Sequence, residues 1–208
     1  GMGRPYETGL LFGRYWRELE DAARAHRLES ALVPFALSPD GRANAARRVR
    51  DQLDALGALP TDRAILAEHF SSEDGGESLL FHSVFGRRVN LPLGLLLEEA
   101  ATAETGALVR MHCDDDGILL HFTGGEAPRD GLLERLGAKD VRARVARLLP
   151  ASALFSMAFR YNAYRALMMG VRRGGRLPLW VQPVPAAQAL ARAAQSANHP
   201  LLWETLRE

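Results

Sequence analysis

The sequence predicts an α+β fold, with two hairpins supplying an antiparallel sheet and about seven helices wrapping it. Three observations carry that expectation. Short runs that alternate apolar with polar residues come in two pairs, each pair split by a turn-forming stretch. Segments with a period near 3.6 precede, separate and follow those pairs. The chain has 208 residues, 47% of them apolar and 25% charged, which is enough to bury a core without disulfide staples.

Residues 10–27, LLFGRYWRELEDAARAHR, read as an amphipathic helix with Leu11, Tyr15, Leu19 and Ala22 on its inner face. SPDGRANAARRVRDQLDALGALP opens as a turn and continues as a helix that Gly57 and Pro60 stop. RAILAEHF and ESLLFHSVF form the first strand pair, joined across SSEDGG. NLPLGLLLEEAATAETG is expected to be helical after Pro92, and ALVRMHC and GILLHFT flank DDDG as the second hairpin.

Beyond residue 128 the pattern turns helical. RDGLLERLG and KDVRARVARLL are separated by Gly137, and a long helix is expected from about Ala151 to Val171. GGRLPLWVQPVP is too proline-rich for a central strand and reads as an edge strand or extended segment. AAQALARAAQSAN and PLLWETLRE close the chain as helices. The organisation expected is a helical segment over 1–60 and an α+β body over 61–208, together one compact unit. The opening Gly-Met pair reads as an expression remnant.

The uncharged stretch LLPASALFSMAF is well short of the roughly 20 residues that span a bilayer, so no membrane association is expected. One cysteine, Cys113, excludes an internal disulfide and fits a reducing, cytoplasmic setting; it reads as a small buried hydrophobe.

Charge is divided unevenly. Every basic residue except Lys139 is an arginine, and the formal net charge is only +1. Between Val141 and Trp203 there is no Asp or Glu, yet the span holds Arg142, Arg144, Arg147, Arg160, Arg165, Arg172, Arg173, Arg176 and Arg192. The acids gather in SSEDGGE, EEAATAE and DDDG. Such asymmetry points to a polyanionic partner or to mutual neutralisation within the fold. RRGGR favours the partner: arginines flank paired glycines that let a backbone approach closely.

On the long helix, Leu154, Met157, Tyr161, Tyr164 and Met168 form one apolar stripe and Phe155, Phe159 and Ala166 another, which predicts an interior helix. Asn162, Arg165 and Arg172 share one quadrant, facing either a ligand groove or the acidic hairpins. Trp180 and Gln182 follow, and an aromatic beside arginines suits single-stranded nucleic acid.

Enzyme signatures do not assemble. Asp114, Asp115 and Asp116 sit where a turn wants Asp and Gly, so no metal site is expected there. No phosphate-binding G-x-x-x-x-G-K-[ST], no G-x-S-x-G and no H-E-x-x-H occurs, and the chain is not expected to be an enzyme by itself.

Six stretches carry a family resemblance: GRPYETGLLFGRYWREL, LLFHSVFGRRVNLPLGLLL, DDDGILLHF, LFSMAFRYNAYRALMM, RRGGRLPLWVQ and HPLLWETLRE. In this order they resemble the DEAD/H-associated region that follows the winged helix of Lhr-type (large helicase-related) superfamily-2 helicases. The resemblance runs from about Gly3 to Glu208; the stretch from Ala25 to Leu66 departs from it most, and the chain stops at Glu208 where family members continue, as a truncated chain would.

The resemblance implies an accessory domain of a 3′-to-5′ ATP-driven DNA translocase that acts in DNA repair. It implies partnership with RecA-like and winged-helix domains and with single-stranded DNA, or an RNA:DNA hybrid. ATP and Mg would belong to the motor domains alone, with no cofactor here. The motif positions HSVFGRRVN, FRYNAYRAL and PLWVQ, with the charge pattern, make Arg87, Arg88, Arg160, Asn162, Arg165, Arg172, Arg173, Arg176, Trp180 and Gln182 the expected nucleic-acid contacts.

Overall fold

A computed structural model describes residues 3–71, 75–129, 131–137, 139–169, 183–193, 195–196 and 199–207. Within them lie helices and one four-stranded antiparallel sheet, the α+β class that the alternating and helical patterns predict. The chain divides into two compact units, Gly1–Gly137 and Ala138–Glu208, and the helical segment over 1–60 packs within the first of them together with the sheet.

The reason lies in α1, Tyr6–Arg24. A Cβ on Gly9 would sit 2.4 Å from the Val84 carbonyl oxygen, and one on Gly13 would sit 2.4 Å from the Asp62 nitrogen. Two glycines one turn apart thus let the helix lie directly on the backbone that enters and leaves the first hairpin. Leu11, expected on the inner face, is 64% exposed because the glycines mark the contact instead.

The short α2, Leu28–Ala31, and α3, Pro39–Leu56, complete the helical part of this unit. Ser38 caps α3 by accepting from the Gly41 N–H at 3.1 Å, and Gly57 ends it in the left-handed conformation (φ 73°). Leu19, Leu28, Leu32, Ala46, Val49 and Leu59 form the core among these helices.

The sheet runs β1 (Leu66–Ser71), β2 (Glu77–His82), β4 (Gly117–Thr123), β3 (Leu108–Cys113), with β4 inserted between the strands that α4, Arg87–Thr105, connects. One face carries the rows Phe81–Ile118–Cys113 and Leu79–Leu120–Met111, which α4 covers. A Cβ on Gly94 would already meet Met111 Sδ at 3.0 Å and Ile118 Cγ2 at 3.1 Å. The opposite face carries Glu68–Leu80–Leu119–His112 and Phe70–Ser78–His121–Arg110, with Phe70, Arg110 and His112 exposed.

Helix α4 begins at Arg87, ahead of the expected start after Pro92. Gly86, at φ 84°, turns the chain, and the Val89 and Asn90 N–H groups donate to its carbonyl at 3.0 and 2.9 Å. Pro92 then removes a single bond in the second turn, which burial of Leu91, Leu95, Leu96 and Leu97 outweighs. The helix expected over RDGLLERLG contracts to one 3₁₀ turn, Glu134–Leu136.

The second unit contains α5 (Val141–Leu148), α6 (Ala153–Arg165), α7 (Pro183–Ala193) and α8 (Pro200–Arg207). Its core joins Phe155, Phe159, Ala163 and Met169 to Ala186, Ala189 and Ala193. Helix α6 is not interior all round: Met157 and Tyr161 are about half exposed, at 46% and 51%. It also ends at Arg165 rather than near Val171, where Leu167 takes φ 57° and the Met168 N–H donates back to the Ala163 carbonyl at 2.9 Å.

Candidate nucleic-acid interface

Three segments distant in sequence are tied together at the start of α4. Asp114 Oδ1 accepts from the N–H groups of Asp116 (2.8 Å) and Gly117 (3.0 Å), which closes the β3–β4 turn on itself. Asp115 Oδ1 accepts from the Arg87 N–H at 2.9 Å and the Arg4 N–H at 2.8 Å. These two bonds, the Arg87 one foremost, hold the Asp115 carboxyl below the usual carboxylate range. Asp116 Oδ1 accepts from the Arg4 guanidinium at 2.7 Å. The three aspartates therefore work on the fold, and among the described residues no group of three or more His, Cys, Asp or Glu is placed to hold a metal ion.

Asn90 locks the same corner. It is fully buried, accepts from the Ser83 hydroxyl at 2.7 Å and donates to the Asp114 carbonyl at 2.9 Å. Ser83 and Asn90 in HSVFGRRVN are thus internal braces. That bracing fixes the direction of the first turn of α4, which carries Arg87 and Arg88, both exposed. Arg87 lies beside Cys113, whose thiol is pushed up chiefly by burial, the fate expected for a small buried hydrophobe. Arg88 has no hydrogen-bond or ion-pair partner among the described residues.

In the second unit, α6 carries the three expected contacts Arg160, Asn162 and Arg165. Asn162 does not face a groove. It is 3% exposed, and its Nδ2 donates to Thr205 Oγ1 at 3.2 Å, while that hydroxyl donates to the Leu201 carbonyl at 2.7 Å. A buried amide is held by such bonds, so Asn162 joins α6 to α8 instead of reading a ligand. Arg160 lies half-buried with its guanidinium 5.4 Å from the Tyr161 ring centre, and its Nε is buried without a hydrogen-bond partner. Arg165 is exposed in the last turn, where a cation suits the helix dipole. Arg172, Arg173, Arg176, Trp180 and Gln182, with most of the expected edge strand, lie outside the described residues.

The ion pairs Arg17–Asp62, Arg24–Glu20, Arg50–Glu29 and Arg135–Glu104 all belong to the first unit. One feature was not anticipated from sequence: Phe12 and Trp16, one turn apart on α1, meet edge to face at 5.4 Å over a cavity. Their spacing in LLFGRYW is the only sequence signal for it.

Residues 59–208 match the DEAD/H associated family. The chain belongs to that family. This DEAD/H associated domain is of the Lhr type: it is 32% identical over 211 residues to the Lhr helicase/uracil glycosylase of Escherichia coli K12, across the whole of this chain and 14% of that protein. It is 25% identical to the ATP-dependent helicase Lhr-Core of Saccharolobus solfataricus, over 98% of this chain and 24% of that one. It therefore spans a quarter or less of these relatives. The fold resembles Mycobacterium smegmatis helicase Lhr, solved bound to ssDNA and AMP-PNP, with a TM-score of 0.84 and 30% identity over 99% of this chain and 26% of that one. No helix among the described residues is long and apolar enough to cross a membrane.

Proposed function

We propose that this DEAD/H associated domain is an accessory single-strand-binding module of an Lhr-type helicase, lining the strand channel and carrying no ATPase of its own. The observation that carries the reading is the likeness over 99% of the chain to an Lhr helicase solved with single-stranded DNA. The chemistry agrees with it. Arg87 and Arg88 present guanidinium groups at a rigidly anchored helix start, and Arg160 keeps a desolvated Nε in need of an acceptor. Arg165, Arg172, Arg173 and Arg176 extend the phosphate-contact set, with Trp180 and Gln182 for the bases. ATP and Mg would act in the RecA-like domains of the parent protein, to which this module and the winged helix attach.

Fluorescence polarisation with a labelled oligonucleotide at graded salt tests the proposal. Each phosphate contact contributes a slope of roughly −0.7 in log affinity against log salt. No binding even at low salt sinks it.

A second reading is favoured by the anchoring of Arg87 through its backbone: the domain braces the helicase without touching DNA. Under that reading a double Arg172→Ala, Arg173→Ala substitution lowers thermal stability and leaves strand affinity unchanged.

A further inference from the structure

Between α1, α3 and the end of β2 lies a cavity of about 250 Å³, whose lining includes Phe12, Trp16, Arg48, Gln52, His82 and Asp116. We propose that it receives one base of a single-stranded nucleic acid, flipped out of its neighbours' stack; this rests on the strand-binding reading above and adds the residues that would grip a base.

Size is the first argument. The space is below the roughly 300–1,000 Å³ that drug-sized ligands need, and it suits a single flat ring system. The walls are the second. Phe12 and Trp16 stand at an interplanar angle of 86°, so a ring can lie on one face while the other aromatic closes the side. Trp16 is held in place by packing against the Leu19–Leu59 core, and the Arg4 guanidinium lies over the Phe12 ring, 4.9 Å from its centre.

The polar groups are the third. Among the described residues neither the Trp16 indole N–H nor the Gln52 amide has a hydrogen-bond partner, although both line the cavity. An amide supplies a donor and an acceptor to a base edge. Arg48 is exposed at the rim, where a phosphate would lie. The acids do not oppose it: Asp116 is engaged by Arg4, and the Glu68 carboxylate bonds His82 Nε2 at 2.8 Å. His82, at the cavity wall, lies on the same face of the sheet as Phe70, His121 and Arg110.

The experiment uses the full chain: strand affinity is read by fluorescence polarisation with all three tryptophans in place, and Trp16 emission is read at saturating oligonucleotide in a background with Trp180 and Trp203 replaced by Phe. Titration with an oligothymidylate is expected to quench Trp16, with Gln52→Leu weakening affinity several-fold and Trp16→Ala about tenfold, the scale of one missing stack. Thermal melts of both variants separate this from unfolding, and Gln52→Leu removes only a half-buried amide. If the oligonucleotide binds but Trp16 is not quenched and both variants bind as the parent does, the base pocket is overturned while the strand-binding reading stands. If the oligonucleotide fails to bind yet thymidine monophosphate quenches Trp16, the pocket stands and the strand-binding reading falls. Silence toward both ligands overturns both.

Discussion

Asn90 is buried with no exposed surface, yet its amide is bonded at both ends, so its burial carries little penalty. Removing it strands the buried Ser83 hydroxyl and takes from the Asp114 carbonyl the amide that bonds it. Asn90→Ala is therefore expected to cost about 1–3 kcal/mol in denaturant unfolding, and an isosteric Asn90→Asp to fare no better because its carboxylate cannot donate to the Ser83 and Asp114 carbonyls that the amide N–H now serves. Leu167 presents the opposite case. It is 81% exposed and holds a positive φ of 57° where glycine is the easy residue. Leu167→Gly is expected to raise stability by about 0.5–1 kcal/mol, read as a higher denaturant midpoint at unchanged slope. A lower midpoint would show that the turn after α6 draws support from elsewhere.

At the scale of elements, the attachment of α1 to the first hairpin rests on glycine contact and on one carboxylate. Asp62 accepts from Arg17 Nε at 2.9 Å and from its Nη2 at 3.2 Å. The Arg17 hydrogen bond, ahead of the opposing effect of burial, holds the Asp62 carboxyl below its ordinary value. Because the folded-state pKa is depressed, this stabilisation is complete above the unfolded carboxylate pKa of about 4 and disappears as pH falls through the folded value. Asp115 behaves with the same sign through its backbone donors. Asp62→Asn should thus lower the melting temperature near neutrality, and the gap from the parent should close as the pH is taken below about 4. A gap independent of pH would mean that Asp62 acts through shape rather than charge.

For the molecule as a whole, the carboxylate-free span from Val141 to Trp203 falls entirely within the second compact unit, Ala138–Glu208. A net charge of +1 therefore conceals a basic unit and an acidic one, and the field of such a chain steers a polyanion more strongly than its net charge suggests. If the strand also meets the first unit, Arg87→Ala with Arg88→Ala should weaken oligonucleotide binding and make the log–log salt slope shallower by roughly 0.7 for each phosphate no longer held. Weakened binding with an unchanged slope would assign those arginines to positioning rather than to phosphate. The fold should tolerate the change, since it is the Arg87 backbone N–H, not its side chain, that Asp115 holds.

Local chemistry determined most of the segments that became helices, strands and turns. Ser38 and Gly57 bound α3 as a cap and a stop, DDDG closes the second hairpin, and the alternating runs became β1 to β4, because each signal acts over a few neighbouring residues. Tertiary structure decided where polar groups go. Asn162 has the same helical placement whether it meets a ligand or Thr205, and only the docking of α8 selected Thr205. Pro92 marked a helix start by sequence, yet Gly86 and the leucines packed under α4 moved it forward by more than a turn. The base-sized cavity arises where α1, α3 and β2 converge, from residues as far apart as Phe12 and Asp116. Long-range packing chooses among partners that local propensity leaves equivalent, because burial and hydrogen-bond satisfaction depend on what lies across the core rather than along the chain.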